Sequence, residues 1–278
     1  MRWTEHRFIG FDETPLFYRR LRVESRPKAV LLMVHGMGEH GGRYKDFAGT
    51  LGAEGIESVM PDLRGFGKSG GKRGCIRQFS DYHKDLEALH GYLVRENKPY
   101  PIFILGHSFG GLIVSSYLAQ SDCLKPQGFI LSSPAFGIAV PIPAWRNAIG
   151  MCFSALSPDL TQDNQVNPVF LTHDSIEVEK YKTDGLVHHK ISARLYSQTK
   201  KLLGRHLEIA KKIVAPALVL QAGDDRVVLK DETIRFFEAL GGADKEIEIY
   251  AGFYHEILKE KEKRRVYIRI VEWIFKHI

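Results

Sequence analysis

Apolar runs and amphipathic stretches alternate along most of the chain. Uninterrupted apolar runs of about five residues predict strands buried on both faces, and apolar residues at helical spacing predict helices that pack on a sheet. The strands predicted in this way are Ala29 to Val34, Glu57 to Met60, the run after Pro101, Gly128 to Ser132, Ala217 to Gln221, and Glu246 to Tyr250. The predicted helices are Tyr44 to Glu54, Phe79 to Arg95, a segment from Gly110, Asp231 to Leu240, and Glu260 to Phe275. This alternation predicts an α/β fold with a mainly parallel sheet and helices on both faces.

Two segments depart from the alternation. Near the N-terminus, strand-like runs between Arg7 and Leu21 flank the turn residues Asp12 to Pro15 and predict an antiparallel hairpin at the sheet edge. The second segment runs from Pro134 to about Leu207 and contains no strand and helix alternation. Since predicted sheet strands flank it, we expect a core domain of residues 1–133 and 208–278 and an inserted cap (lid) of residues 134–207.

The predicted cap has its own apolar pattern. Its alternating residues are Phe136, Ile138, Val140 and Ile142, and they are followed by a stripe at helical spacing, namely Trp145, Ile149, Cys152, Phe153 and Leu156. A polar loop, Ser157 to Asn167, comes next. The stripe forms either the core of the cap or the wall of a tunnel for an acyl chain.

The composition is that of a globular protein with a full hydrophobic core. A length of 278 residues with 44% hydrophobic residues suits one large domain with an insertion. No window reaches about 18 apolar residues, and the first residues lack the order of a secretory signal, so a cytoplasmic location is expected. The cysteines, Cys75, Cys123 and Cys152, are too scattered to predict a disulfide framework or a zinc site.

The net charge of +6 is spread along the chain, and nothing in the sequence is typical of nucleic-acid binding. One basic cluster, Lys259 to Arg265, is either a solvated helix face or a contact with an anionic membrane surface.

Two segments match the pattern Gly-x-Ser-x-Gly. Gly106-His107-Ser108-Phe109-Gly110 lies between a predicted buried strand and a predicted helix, whereas Gly67-Lys68-Ser69-Gly70-Gly71 lies in a polar loop. A serine on a tight strand-to-helix turn holds its hydroxyl above the carboxyl edge of the sheet, where a base can reach it. We therefore predict Ser108 as the nucleophile and Ser69 as a loop residue.

Two glycine-rich loops have phosphate-binding alternatives. The loop before Ser69 nearly matches a P-loop, but Asp62 stands where that motif needs a glycine. The loop Gly36 to Gly41 matches a dinucleotide-binding pattern, yet helical periodicity begins only near Tyr44, too late for its amides to face a pyrophosphate.

The Gly36 to Gly41 loop suits an oxyanion hole better. Its glycines would let the Met37 N–H point at a developing negative charge, with the Phe109 N–H as second donor. Each such donor stabilises the transition state by about 3–4 kcal/mol.

A serine nucleophile needs a base, and the base needs an acid that orients it. His255 follows the predicted strand Glu246 to Tyr250, and two acids, Asp224 and Asp225, follow the strand before it. Both loops belong at the carboxyl edge of the sheet, where such chemistry occurs. Neighbouring side chains diverge, so only one acid can face His255, and the residues alone do not decide which.

Taken together, these motifs resemble the monoacylglycerol lipase and lysophospholipase family of the α/β-hydrolase fold. The resemblance rests on His35-Gly36-x-Gly38-Glu39-His40-x-x-Arg43-Tyr44, Asp62-Leu63-Arg64-Gly65-x-Gly67-x-Ser69-x-Gly71, Gly106-His107-Ser108-x-Gly110-Gly111, Asp225-Arg226 and Tyr254-His255. It implies an eight-stranded, mostly parallel sheet with a cap, and it favours Asp225 as the acid because an arginine and a valine follow. Phe109 stands where the family usually has methionine. His35, Glu39, Arg43 and His107 become candidates for binding substrate or positioning loops.

The expected function is hydrolysis of single-chain lipid esters, with monoacylglycerol as the first candidate substrate and lysophospholipid as the second. Neither a cofactor nor a metal is expected, and peripheral membrane contact would involve apolar cap residues such as Ile138, Val140 and Ile142. Alternatives on the same fold are a carboxylesterase, a thioesterase, a peptidase, an acyltransferase and a non-catalytic ligand-binding protein.

Overall fold

An eight-stranded sheet forms the centre of the protein. The structure is a computed structural model that describes residues 1–95, 100–123, 125–139 and 156–278. The strands are β1 (Arg2–Ile9), β2 (Pro15–Arg22), β3 (Ala29–Val34), β4 (Ile56–Asp62), β5 (Ile102–His107), β6 (Gly128–Ser132), β7 (Thr161–Asp163), β8 (Lys190–Ser192), β9 (Ala217–Ala222) and β10 (Lys245–Tyr250). The order across the main sheet is β1-β2-β4-β3-β5-β6-β9-β10, whereas β7 and β8 form a separate antiparallel pair.

Helices cover both faces of the main sheet. Within the described residues the helices are α1 (Lys45–Ala53), α2 (Ser80–Arg95), α3 (Phe109–Leu118), α4 (Ser175–Thr183), α5 (Ala193–Leu203), α6 (His206–Lys211), α7 (Lys230–Ala239) and α8 (Lys263–Lys276). Apolar side chains of α1 and α8, such as Phe47 and Trp273, form one core layer with the sheet. Side chains of α2, α3, α6 and α7, such as Leu112 and Phe236, form the other layer.

The uninterrupted apolar runs are strands whose side chains enter both layers. In β5, Phe103 and Leu105 belong to the layer of α1 and α8, while Ile104 belongs to the opposite layer. Successive side chains of a strand point to opposite faces, so a strand covered on both faces is apolar at every position. The predicted α/β class and mainly parallel sheet are confirmed, since β4, β3, β5, β6, β9 and β10 run parallel.

The predicted hairpin forms the antiparallel edge of the sheet. β1 pairs with β2, and β2 in turn pairs antiparallel with β4. β4 extends beyond the predicted run Glu57 to Met60 and is buried along its whole length, because it is hydrogen-bonded on both sides. At the other end of the chain, α8 begins three residues later than the predicted start at Glu260, and a separate 3₁₀ turn, Ile257–Lys259, precedes it.

The predicted cap contains β7, β8, α4 and α5 within its described part. The polar loop expected from Ser157 to Asn167 includes β7, which is strand only because β8 pairs with it. Phe136 is buried, and its ring stacks on Phe236 with centroids 3.9 Å apart. The expected boundary at residue 207 falls inside α6. Other predicted cap residues lie outside the described residues, namely Val140, Ile142, Trp145, Ile149, Cys152 and Phe153.

The strand register brings several loops to one edge of the sheet. Val34 aligns with Gly106, His107 with Ser132, and Ala222 with Tyr250. The loops that follow β3, β5, β9 and β10 therefore begin at a common edge, as expected for a parallel sheet. Among the helices in the described ranges, none has both the length and the apolarity needed to cross a membrane.

Candidate active site

Ser108 occupies the sharp turn between β5 and α3. Its backbone angles, φ 52° and ψ −117°, are unusual for a residue with a side chain and indicate local strain. Glycines on either side make the turn possible. A Cβ atom on Gly106 would lie 2.5 Å from the carbonyl oxygen of Gly110, and one on Gly110 would overlap the carbonyl oxygen of Val34.

His255 and Asp225 approach Ser108 from the loops after β10 and β9. His255 Nε2 lies 2.8 Å from Ser108 Oγ, and His255 Nδ1 lies 2.8 Å from Asp225 Oδ2. The other carboxylate oxygen of Asp225 accepts hydrogen bonds from the Val227 and Val228 amides, each at 2.9 Å. The structure thus aligns the predicted serine, base and acid in the arrangement needed for proton transfer from the serine hydroxyl.

The structure distinguishes the two neighbouring acids. The side chain of Asp225 is fully buried against His255, whereas Asp224 is exposed. Burial alone would raise the pKa of Asp225, but the charge and hydrogen bond of His255, together with the hydrogen bonds from the Val227 and Val228 amides, lower this pKa. Burial would likewise lower the pKa of His255, but the carboxylates around it, Asp225 foremost, together raise it. Each partner stabilises the charged form of the other.

Two backbone amides lie next to the serine. Gly36 packs close to Ser108, since a Cβ atom on Gly36 would lie 3.3 Å from that of the serine. The next amide, that of Met37, and the amide of Phe109 donate to no acceptor within the described part of the chain. Phe109 is the first residue of α3, where amides have no partner inside the helix. Within the described residues, both predicted oxyanion donors are therefore unpaired, and each belongs to a residue that adjoins the serine or adjoins Gly36, which packs against it.

The residues on both sides of Met37 are held by hydrogen bonds. The Gly36 amide donates to Glu39 Oε1 at 2.7 Å, and the Gly38 carbonyl accepts from the His188 amide at 2.9 Å. Gly38 has φ of 82°, and a Cβ atom there would lie 2.6 Å from the His188 carbonyl oxygen. The predicted cap segment thus directly contacts the loop Gly36 to Gly41, which we call the oxyanion loop after its predicted role.

The candidates His35 and His107 are buried and bonded to backbone. His35 Nδ1 lies 2.8 Å from the Gly36 carbonyl, and its Nε2 accepts from the Leu63 amide at 2.9 Å. His107 Nδ1 lies 3.0 Å from the Ser132 carbonyl. Burial lowers the pKa of His35, and it lowers that of His107 to about 4. Both rings are thus held by backbone contacts, and burial favours their neutral form.

The candidates Glu39 and Arg43 belong to a buried network with a residue that sequence reasoning missed. Arg43 Nη1 lies 2.6 Å from both Glu39 Oε2 and Glu256 Oε1, and its Nη2 lies 2.8 Å from Glu256 Oε2. Tyr44 donates to Glu39 Oε1 at 2.6 Å. The position of Glu256 immediately after His255 was the signal in the sequence that could have identified it.

Internal pairing accounts for the other polar clusters near the site. The Lys68 amide and the Ser69 hydroxyl both donate to Asp62, at 2.7 and 2.6 Å. These donors of the loop that nearly matches a P-loop are therefore already hydrogen-bonded within the protein. Glu39, His107 and Glu256 bring potential metal ligands within 4.8 Å of one another. Both carboxylates are paired with the guanidinium of the network, so we interpret this group as an ion-pair network.

The fold and the site together define an α/β-hydrolase. The evidence is the strand order of the sheet, the strained serine after β5, the acid after β9 and the histidine after β10. The family model described as serine aminopeptidase, S33, matches residues 25–262. Because this span covers most of the chain, the chain belongs to that hydrolase family.

Relatives with similarity over the whole chain include lipases. A monoacylglycerol lipase of Mycolicibacterium smegmatis is 29% identical over 276 residues, covering 99% of this chain and 98% of that protein. The phospholipase YtpA of Bacillus subtilis is 31% identical over 245 residues, covering 87% and 93%. The crystal structure of a Paleococcus ferrophilus monoacylglycerol lipase superposes with a TM-score of 0.85 at 31% identity, covering 95% of this chain and 99% of that one.

The extent of the match varies among relatives. An uncharacterized abhydrolase domain-containing protein of Dictyostelium discoideum is 30% identical, and the match spans 96% of this chain but 28% of that protein.

The resemblance inferred from the motifs and the α/β-hydrolase fold are confirmed, and the chain is an ester hydrolase.

Proposed function

We propose that the protein hydrolyses esters of single-chain lipids, with monoacylglycerol as its preferred substrate, through a triad of Ser108, His255 and Asp225. The observation that carries this proposal is the pair of 2.8 Å contacts that His255 makes with the serine and with the aspartate. The unpaired Met37 and Phe109 amides beside the serine support it.

The reaction has two halves. Ser108 Oγ attacks the ester carbonyl while His255 Nε2 takes its proton, and the negative oxygen is stabilised by the amides of Met37 and Phe109. The bond from carbonyl carbon to glycerol oxygen then breaks, and the imidazolium protonates the departing alcohol. Water adds to the acyl-enzyme by the same proton transfer, which releases the fatty acid and restores Ser108. Asp225 keeps the imidazole in the productive tautomer throughout.

The substrate class is supported by the relatives. The Mycolicibacterium and Paleococcus proteins are monoacylglycerol lipases, and the Bacillus protein is a phospholipase, which makes lysophospholipid the second candidate. We propose that residues 134–207 form a cap over the site and that its exposed apolar residues, among them Ile138 and Leu160, contact membranes peripherally.

Replacement of the nucleophile tests the chemistry. Ser108→Ala should abolish hydrolysis of a chromogenic acyl ester and labelling by a fluorophosphonate, with an unchanged circular dichroism spectrum and melting temperature. Turnover that persists in this variant would rule out the triad.

A substrate series tests the specificity. Rates with esters of increasing acyl length, and with glycerol, glycerophosphocholine and thiol leaving groups, should be highest for a long-chain glycerol ester. A preference for short acyl chains would indicate a carboxylesterase, and a preference for thioesters a thioesterase. Cleavage of an N-terminal residue from a peptide would indicate a peptidase.

A further inference from the structure

A cluster of buried charges joins three parts of the chain around His255. Arg43 contacts the carboxylates of Glu39 and Glu256, as described above, and Lys259 donates to the Arg43 carbonyl oxygen. Lys259 also lies 3.4 Å from Glu177, which belongs to α4 in the proposed cap. We call these five residues the charge cluster.

Arg43 connects two of the loops at the proposed site, namely the oxyanion loop (Gly36 to Gly41) and the loop after β10 that carries His255, which we call the histidine loop. On one side, its partner Glu39 holds the Gly36 amide, which precedes the Met37 peptide. On the other side, its partner Glu256 follows His255 directly in the chain. The Glu256 amide is itself fixed, since it donates to the Leu171 carbonyl at 2.7 Å. One guanidinium therefore bridges the oxyanion loop and the histidine loop.

The burial of this group calls for a role other than stability. The side chains of Arg43 and Glu256 are each 5% exposed, and that of Glu39 is 3% exposed. Desolvation of buried ion pairs offsets most of their attraction, and apolar residues of similar volume often stabilise a protein as well or better. A rigid, bidentate arginine does supply fixed geometry, because its planar fork meets both oxygens of a carboxylate.

We propose that Glu256 is a positioning residue, which acts through Arg43 to hold the histidine loop and the oxyanion loop in the mutual geometry needed for attack on an ester. This inference rests on the proposed function. Without the Arg43–Glu256 ion pair, the catalytic base and the oxyanion donors would no longer be positioned around the same ester carbonyl. A misplacement of about 1 Å at a reacting centre can reduce a rate on the order of 100-fold.

The cluster also places charge near His255. Three carboxylates act on the imidazole, those of Asp225, Glu256 and Glu39, and the centroid of the His107 ring lies 5.1 Å from that of His255. Arg43 and Lys259 belong to the same charge cluster. After burial, which lowers the pKa of His255, and Asp225, which raises it most, the carboxylates of Glu256 and Glu39 raise it further. Loss of the Glu256 charge should therefore lower this pKa.

Glu256→Gln removes the charge at nearly constant shape, and Glu57→Gln is the matched control. Glu57 accepts hydrogen bonds from Arg20 at 2.6 and 3.0 Å, and both side chains of that β4–β2 pair are buried. For the chromogenic ester we expect Glu256→Gln to lower kcat about tenfold or more with little change in KM. In the pH profile of kcat/KM for Glu256→Gln, the acid limb, where activity falls as His255 becomes protonated, should lie at lower pH than in the wild type. The control should lose thermal stability but keep the wild-type kcat and pH profile.

Glu256→Asp keeps the charge but is one methylene too short for the bidentate contact. It should lower kcat and leave the acid limb in place, and it carries the test if Glu256→Gln does not fold. Wild-type kcat and pH dependence in a folded Glu256 variant, or an equal loss of kcat in the Glu57 control, would overturn the proposal. Activity that survives Ser108→Ala would instead refute the proposed function, so the two failures can be told apart.

Discussion

Asp225→Asn is the change that most directly tests the orientation of the catalytic base. In the wild type, Asp225 accepts four hydrogen bonds: from His255 Nδ1 at 2.8 Å, from Gln221 Nε2 at 3.2 Å, and from the amides of Val227 and Val228 at 2.9 Å. All four partners are donors. An asparagine offers one acceptor oxygen and one donor nitrogen, so it cannot satisfy all of them.

The structure indicates which contact fails. If the asparagine oxygen keeps the two backbone amides, its NH₂ group faces His255 Nδ1. That nitrogen must then be the acceptor, so the proton moves to Nε2, which donates to Ser108 and can no longer remove the serine proton. In a serine protease triad, a wrong tautomer of this kind lowers kcat on the order of 10⁴-fold. At 1.36 kcal/mol per tenfold, this corresponds to about 5 kcal/mol of transition-state stabilisation.

Steady-state hydrolysis of a chromogenic acyl ester measures this loss, and Asp224→Asn is the matched control. Asp224 is exposed and makes no contact with His255 in the described residues, so its replacement should leave kcat/KM close to that of the wild type and change the free energy of unfolding by no more than about 0.5 kcal/mol. Thermal denaturation of both variants checks that the fold is intact. If Asp224→Asn is the inactive variant and Asp225→Asn is not, the assignment of the acid is wrong.

Three further outcomes follow from the contacts. Because His255 acts as a base only when neutral and its pKa is raised above 6.5, kcat/KM should fall as the pH falls, with a midpoint above that value in a pH–rate profile. Ser69→Ala removes a hydroxyl that accepts from the Phe17 amide at 2.9 Å, so the free energy of unfolding should fall by about 1–3 kcal/mol with kcat/KM unchanged. Gly110→Ala should prevent the serine turn from forming and abolish both activity and fluorophosphonate labelling, whereas Gly49→Ala, in α1 with open space around it, should raise the melting temperature slightly.

Most of the fold could be predicted because it depends on local patterns. β3 is apolar at every position, and so is the run Phe129 to Leu131 in the middle of β6, so the burial of both faces can be read from the few residues of each strand. β7 could not be predicted in this way. Its residues, Thr161–Asp163, are polar and partly exposed, and they are strand only through hydrogen bonds to β8, which follows much later in the chain. Pairing with a distant segment leaves no periodicity in the sequence.

The proposed triad could be located for a topological reason. A parallel sheet brings the ends of its strands to one edge, so a serine, an acid and a histidine that each follow a strand must lie near one another. The choice of Asp225 over Asp224 depends on the turn itself, in which the amides of Val227 and Val228 capture the Asp225 carboxylate. The link from Glu256 to Arg43 joins residues 213 positions apart, and a charge in the sequence does not identify its partner.

The two Gly-x-Ser-x-Gly segments show why a motif acquires meaning only from its surroundings. The Ser69 hydroxyl is occupied by hydrogen bonds to the sheet, since it accepts from the Phe17 amide of β2 and donates to the Asp62 carbonyl at the end of β4. Ser108 instead follows a strand buried on both faces, and its strained backbone directs the hydroxyl to His255. The difference lies in the flanking apolar runs, because a buried strand and a helix packed against it can impose a backbone conformation that a polar loop would relax. The apolar pattern around a serine is therefore as much a part of the catalytic signal as the glycines beside it.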